Sequence, residues 1–240
     1  MTTHQATMTP TPLPPPWKEI DTVLLDLDGT LLDRHFDDYF WEQYVPEVYA
    51  GKHGLSPDEA RGALLARYKV REGTLDWTDL DYWSRELGLD IPAMKIKMNH
   101  LIRVHPHVID FLRFCGQAGK EVILVTNAHS KTLEIKLRKT RIGGYFDGVI
   151  CSEEIGLPKE EPGFWARLNG IFPYDPGRTL LAEDSERILT VAEGYGIRHL
   201  ILVARPSSTL AVRRSERFAS IVNFAELLPP GGGMEWLLPE

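Results

Sequence analysis

The sequence predicts an α/β fold, a doubly wound parallel sheet of Rossmann-like type with an all-helical domain inserted after its first strand. Short apolar runs recur along the chain, each followed by a helical stretch, and that alternation implies parallel strands joined by crossover helices. The runs are apolar at consecutive positions, as in strands covered on both faces. The alternation also breaks off. Residues 34–104 read as helical throughout, with no strong strand, before the pattern resumes at His105.

The first strand is Val23-Leu24-Leu25, and it ends at Asp26-Leu27-Asp28-Gly29-Thr30, where glycine lets the chain turn. In the insert, Ser56-Pro57-Asp58-Glu59 is a capping box with proline at N1, opening a helix toward Gly73. Asp76 is expected to cap a second helix whose apolar face holds Leu80, Trp83 and Leu87 and which stops at Gly88. Asp90 is expected to cap a third, through Met94 and Met98 to about Arg103. The core resumes with a helix from about His107 to Gly116 or Gly119, then strands over 121–126, 148–151, 179–182 and 200–203. Helices over 130–140, 162–169 and 185–193 separate these strands. The expected division is a core of residues 17–33 and 105–228, an insert of 34–104, and flexible ends of 1–16 and 229–240. The first end is rich in threonine and proline, and the last carries Gly231-Gly232-Gly233.

Composition narrows the function. The 240 residues are 43% hydrophobic and 25% charged, which suits a globular domain with a smaller one inserted. A net charge of −7 with no basic run argues against nucleic acid as the main partner. No segment has the apolar length of a membrane span, and the N-terminal stretch lacks the basic start and apolar region of a signal peptide. Cys115 and Cys151 lie in apolar surroundings without metal or redox spacing, and are expected to be reduced core residues of a cytoplasmic protein.

Asp26 and Asp28, at i and i+2 beyond a strand, project to the same side. Like charges this close need a cation or a proton between them. A hard divalent metal meets that need, with one carboxylate free to attack and the other to shuttle a proton, and this points to phosphoryl chemistry. The same residues also suit an ordinary Asp-Gly turn. An EF-hand loop is excluded, because Gly29 stands fourth in the run, Thr30 fifth, and a strand precedes them. In open α/β sheets ligands bind beyond the carboxyl ends of the strands. Those ends supply Thr126-Asn127 and Glu183-Asp184 here. Thr126 fits a phosphate contact or a turn cap equally well. Lys159, before a helix start, can neutralise a phosphate, although most such lysines are solvated. Asp184 fits a metal ligand or the cap of the helix at Ser185.

Taken together and in this order, these four stretches resemble the signature of the haloacid dehalogenase superfamily of aspartate-nucleophile phosphatases, and the insert resembles its helical C1 cap. The likeness covers residues 23–224. Within that superfamily, Tyr39-Phe40-Trp41, Lys52-His53-Gly54-Leu55-Ser56, Leu80-Asp81-Tyr82-Trp83, Thr126-Asn127-Ala128-His129 and Gly156-Leu157-Pro158-Lys159-Glu160 are similar to the bacterial GMP/IMP nucleotidases. The resemblance implies that Asp26 is the nucleophile and Asp28 the acid and base. It implies that Thr126, Asn127 and Lys159 hold the phosphoryl group, and that Mg²⁺ is bound by Asp26, the Asp28 carbonyl and Asp184. It further implies a small phosphorylated metabolite as partner, above all a purine nucleoside monophosphate.

One departure stands out. The subgroup's fourth motif is usually Asp-Asp-Ser, and this chain has Glu183-Asp184-Ser185, which leaves Glu183 to reach the metal through water or to act behind it. Substrate choice is expected in the cap, where Trp77, Tyr82, Trp83, Tyr44 and Tyr49 can stack a base or fill the cap's own core. His129 fits a substrate contact or a helix cap, and the His105-Pro106-His107 stretch reads as a junction without metal. The alternatives to a nucleotidase are a sugar-phosphate or phosphoglycolate phosphatase and a catalytically idle binding domain. A dehalogenase is disfavoured by Asp28.

Overall fold

The computed structural model describes residues 11–230. Its sheet is built from β1 (Thr22–Leu25), β2 (Glu121–Thr126), β3 (Gly148–Cys151), β4 (Thr179–Glu183), β5 (His199–Val203) and β6 (Ala219–Ile221). The spatial order is β3-β2-β1-β4-β5-β6, and every neighbouring pair is parallel. With β1 in the middle, the chain winds outward first to one side and then to the other. The doubly wound core expected from the apolar runs is therefore found.

The strands explain both layers. Val23, Leu25, Val122, Leu124, Leu180 and Ala182 join one buried cluster with helix α6 (Val108–Gln117) and α7 (Ser130–Thr140). Their alternates Leu24, Ile123, Val125 and Leu181 join a second with α9 (Pro162–Ile171) and α10 (Glu186–Tyr195). Successive side chains of a strand point to opposite faces, so a strand with helices on both sides is apolar at every position.

The insert has a core of its own. It comprises α1 (His35–Tyr39), a π-helical stretch over Phe40–Tyr44, α2 (Val45–His53), α3 (Pro57–Arg71), α4 (Leu80–Leu87) and α5 (Ile91–Lys97). Phe40, Val45, Leu64, Tyr68, Leu80, Trp83, Leu87 and Ile91 form its buried cluster. The capping box opens α3 as expected, but Asp79 rather than Asp76 caps α4. Asp79 Oδ1 accepts from the backbone N–H groups of Asp81 (2.7 Å) and Tyr82 (3.0 Å), while Asp76 lies in a 3₁₀ turn over Leu75–Trp77. The third helix ends at Lys97, short of Arg103, and a 3₁₀ turn over Asn99–Leu101 follows.

Two short elements were not foreseen: β6 and α8 (Ser152–Ile155). Within the expected N-terminal tail, Thr11 is buried and its hydroxyl oxygen accepts the Leu200 N–H at 3.0 Å. Residues 1–10, and the Gly231-Gly232-Gly233 tract within 231–240, lie outside the described residues. Among the described residues no helix is long and apolar enough to cross a membrane.

The capping box allows a local check. Ser56 Oγ accepts the Glu59 N–H at 3.3 Å, and Glu59 Oε2 accepts the Ser56 N–H at 3.0 Å. Ser56→Ala is expected to lower unfolding stability in urea by about 1 kcal/mol with an unchanged m-value. Loss of a single N-cap should leave turnover of a small substrate as it was.

Candidate active site

The candidate residues gather beyond the carboxyl ends of β1, β2 and β4. Asp26 directly follows β1 and is itself registered to the sheet, its N–H donating to the Ala182 carbonyl at 3.1 Å. Gly29 then turns the chain with φ +92°, a conformation costly for any residue with a Cβ. A Cβ built there would lie 2.4 Å from Asp184 Oδ2. The glycine is needed twice, for its dihedral and for this close approach of the first loop to the fourth.

Lys159 is the hub. Its ammonium, 1% exposed, donates to Asp26 Oδ1 at 2.5 Å, Glu183 Oε2 at 2.7 Å and the Val125 carbonyl at 3.3 Å. The loop that carries it is held by Asn127, whose Oδ1 accepts the Lys159 N–H at 3.0 Å and whose Nδ2 donates to Glu160 at 2.9 Å. The Asn127 side chain thus positions the lysine loop. Thr126 Oγ1 accepts the Ala128 N–H at 3.0 Å, which leaves the hydroxyl proton for a ligand oxygen. Glu183 uses both oxygens, one on Lys159 and the other on the N–H groups of Asp184 and Ser185. The longer side chain in place of aspartate braces the loop after β4.

Four cations inside the site are paired with six carboxylates. Arg34 donates to Asp184 Oδ2 at 2.7 Å and to Asp38 at 3.2 Å. Lys136 reaches Asp28 Oδ1 and Asp37 Oδ2, each at 2.5 Å, and Lys95 reaches Asp37 Oδ1 at 2.7 Å. Positive charge is short, and the acids show it. Burial and the neighbouring Glu183 charge push Asp26 up to about 6 against the pull of Lys159. Burial raises Asp28 to about 6 despite Lys136, and Glu183 to about 7 despite Lys159. Burial and Asp26 together raise Asp184 to about 6, opposed by Arg34. Asp37 alone is well supplied. Although burial acts against it, Lys136 and Lys95 hold it down at about 2. Burial alone would lower Lys159, but Asp26 and Glu183 raise it.

Asp26, Glu183 and Asp184 each bring a carboxylate oxygen into one group spanning no more than 4.8 Å, and Asp26 Oδ2 is buried with no hydrogen-bond partner. This all-oxygen, electron-rich set fits a hard divalent cation. The site opens into a cavity of about 620 Å³ between core and cap. Trp41, Tyr68, Trp77 and Trp83 form its aromatic wall. Trp77 and Trp83 were expected there from the sequence; Tyr44, Tyr49 and Tyr82 are not among the lining residues, and the Tyr82 hydroxyl accepts Arg71 Nε at 2.8 Å. His129 lines the cavity and also caps α7, accepting the Lys131 N–H on Nδ1 at 3.3 Å. His105 sits at the junction, 3.3 Å from the Pro206 carbonyl.

A family model described as haloacid dehalogenase-like hydrolase matches residues 20–193. The chain belongs to that family. This haloacid dehalogenase-like hydrolase is 39% identical over 213 residues to the GMP/IMP nucleotidase YrfG of Escherichia coli (strain K12), covering 89% of this chain and 96% of the relative. It is 25% identical over 214 residues to a phosphoglycolate phosphatase of Pseudomonas fluorescens (strain Pf0-1), covering 79% of this chain and 75% of that one. Among solved structures, a HAD phosphatase from Thermococcus onnurineus matches with a TM-score of 0.74 at 24% identity, over 87% of this chain and 96% of that one. The family and fold expected from the four motifs are both found, and the chain is an enzyme of the hydrolase class.

The expected residues Asp26, Asp28, Thr126, Asn127, Lys159 and Asp184 all line this one cavity. Arg34, Asp37, Lys95 and Lys136 were missed, as were Trp41 and Tyr68 as wall residues. None carries a local signal. Each acquires its role from a partner distant in sequence, such as Asp184 for Arg34 or Asp28 for Lys136.

The raised acids make stability depend on pH. The folded protein holds more protons than the unfolded chain from about pH 4 to pH 7, because Asp26, Asp28, Asp184 and Glu183 all titrate above their ordinary values. That stabilisation is present in full at the acid end and is lost as pH rises through about 6 to 7. Burial lowers His105 and His199, which act in the opposite sense. In metal-free thermal melts, Tm is expected to fall between about pH 5 and pH 8, and Glu183→Gln to flatten the decline. A Tm that rises across this range, or a slope unmoved by the substitution, would contradict this charge balance.

Proposed function

We propose that this hydrolase is a magnesium-dependent phosphomonoesterase that works through an aspartyl phosphate on Asp26, and that its substrates are purine nucleoside 5′-monophosphates of the GMP/IMP kind. The observation that carries the reading is the Asp26 carboxylate itself. It stands at the end of the central strand with one oxygen on Lys159 and the other buried without a partner, near Asp28, whose carboxyl burial raises to about 6.

Asp26 attacks phosphorus, and the ester P–O bond breaks as the Asp28 carboxyl gives its proton to the departing alkoxide. Asp28, now a carboxylate, takes a proton from water. The water oxygen attacks the aspartyl phosphate, releasing inorganic phosphate and restoring Asp26. A value of about 6 serves both halves, because neither protonation state is remote at neutral pH. Thr126 donates its hydroxyl proton and Lys159 its charge to the phosphoryl oxygens, with Asn127 holding the lysine loop. Magnesium would be held by Asp26, the Asp28 backbone carbonyl and Asp184, and would supply the positive charge that the site lacks.

Substrate class rests on the cavity and on the nucleotidase relative. A volume of about 620 Å³ with four aromatic rings on its wall suits a nucleotide, whereas phosphoglycolate would leave most of it empty. Stacking on such rings is tolerant of which base is present, so the GMP/IMP preference is taken from the relative. A cytoplasmic setting suits the two free, buried cysteines.

Phosphate release from a panel of nucleotides, sugar phosphates, phosphoglycolate and 4-nitrophenyl phosphate tests the reading. Turnover is expected with magnesium, none after chelation, and the highest kcat/KM on GMP and IMP. Asp26→Asn should lose more than about a thousandfold, since an amide cannot form the phosphoenzyme. A mutant that keeps a tenth of the wild-type rate excludes Asp26 as nucleophile, and a sugar phosphate leading the panel excludes the nucleotidase reading.

Trp77, at 37% the most exposed ring of the cavity wall, is the sharpest probe of base contact. Trp77→Ala is expected to lower kcat/KM about tenfold to a hundredfold on GMP and IMP. The change on 4-nitrophenyl phosphate should be far smaller. Equal losses on both would mean that the ring only holds the cap together.

A further inference from the structure

The proposed chemistry uses Asp28 but leaves two buried lysines and the half-buried Asp37 behind it without a task. Lys136 on α7 of the core contacts Asp28 Oδ1 at 2.5 Å and Asp37 Oδ2 at 2.5 Å. Lys95 on α5 of the cap contacts the other oxygen of Asp37 at 2.7 Å. Both lysines are 1% exposed, and α5 packs directly on α7. The ammonium groups are roofed by rings: Phe36 lies 4.8 Å from Lys95 and 5.4 Å from Lys136, and Phe40 lies 4.6 Å from Lys95. The result is an unbroken run of alternating charge, Lys95, Asp37, Lys136, Asp28, that begins in the cap and ends on the carboxyl proposed as the acid.

Stability does not explain such a run. Buried ion pairs gain little over apolar residues of the same volume, and each buried lysine must be matched by an acid placed to receive it. Geometry does explain it. An aspartate carboxyl can rotate about its own bond, and an ammonium fixed on Oδ1 leaves Oδ2 as the one oxygen able to hold and deliver a proton.

We propose that Lys136 is the positioning residue of the Asp28 carboxyl group, and that Asp37 and Lys95 hold Lys136 from the cap side, so that the acid is oriented only while the cap is seated. This rests on the phosphomonoesterase reading and adds to it a physical link between cap and chemistry. Lys136 touches no reacting atom. Its effect runs through Asp28.

Leaving-group dependence separates this role from a structural one. A 4-nitrophenolate departs with little need of a proton, whereas the alkoxide of a nucleoside 5′-monophosphate or of ribose 5-phosphate needs one, and acid catalysis contributes about a hundredfold or more to such a step. In the full-length enzyme with magnesium, Lys136→Met is expected to lower kcat/KM about a hundredfold on the alkyl esters and only a few-fold on 4-nitrophenyl phosphate. Asp37→Asn should give the same selective pattern at about a tenth of the size, and Lys136→Arg should recover part of the alkyl-ester rate. Equal losses on both ester classes, or no loss on either, overturn the proposal. Should Lys136→Met fail to melt cooperatively, Asp37→Asn decides alone by the same criterion. A wild-type enzyme that hydrolyses neither ester sinks the phosphomonoesterase reading and this inference with it; a wild type active on both, with uniform losses in the variants, sinks only this one.

Discussion

The ammonium of Lys159 is the interaction on which the rest of this site depends. It lies between Asp26 and Glu183, both almost wholly buried, and among the described residues no other cation pairs with either carboxylate. Without it, two acids would face each other in a medium that solvates neither. Its position is in turn fixed by the Asn127 side chain, which binds the lysine's own backbone, and by the Val125 carbonyl at the end of β2. Three strand ends and one helix start are thereby tied to a single nitrogen. Glu183 suits this arrangement better than a shorter acid would, because one oxygen spans to the lysine while the other satisfies two backbone N–H groups of its own loop.

Around that hub the site remains short of positive charge. Six carboxylates meet Arg34, Lys95, Lys136 and Lys159, and all of them but Asp37 are pushed upward. A protein tolerates such a deficit where an added cation or a proton completes the balance, and perturbed acids in a cleft are a mark of working sites. The parallel sheet makes the concentration of charge possible. All its strands end on the same side, so the loops after β1, β2 and β4 deliver their polar residues to one place while the apolar faces stay beneath helices.

Much of this was legible in the chain, and the legible parts share a cause. Strands such as Leu24-Leu25 and Val122-Ile123-Leu124 announce themselves because burial on both faces removes every polar residue. Asp26, Thr126, Lys159 and Asp184 stand out by position, since a polar group at a strand end has few structural reasons to be there. What escaped was set by distance. Lys136 lies in a basic helix, Ser130–Thr140, where it is indistinguishable from Lys131 or Lys139 until Asp28 and Asp37 arrive from about a hundred residues away. Arg34 reads as a charge at a domain boundary and becomes a site residue only through Asp184. The misplaced helix cap has a different origin. Asp76 and Asp79 both precede the same apolar face, and only the 3₁₀ turn over Leu75–Trp77 decides between them. Strand β6 is three residues long, too brief for any periodicity to show.

The aromatic wall of the cavity has an optical consequence. Of the five tryptophans among the described residues, Trp41, Trp77 and Trp83 face that space, while Trp17 and Trp165 are packed within the two faces of the sheet core. Tyr68 stands among the three, 4.9 Å from Trp83 and 5.5 Å from Trp41 between ring centroids. Indole emission responds to the polarity around it and is quenched by a stacked base, so these three indoles report on the space between cap and core. Whatever enters that space will be reported by a signal the protein already carries, through the three indoles on its wall.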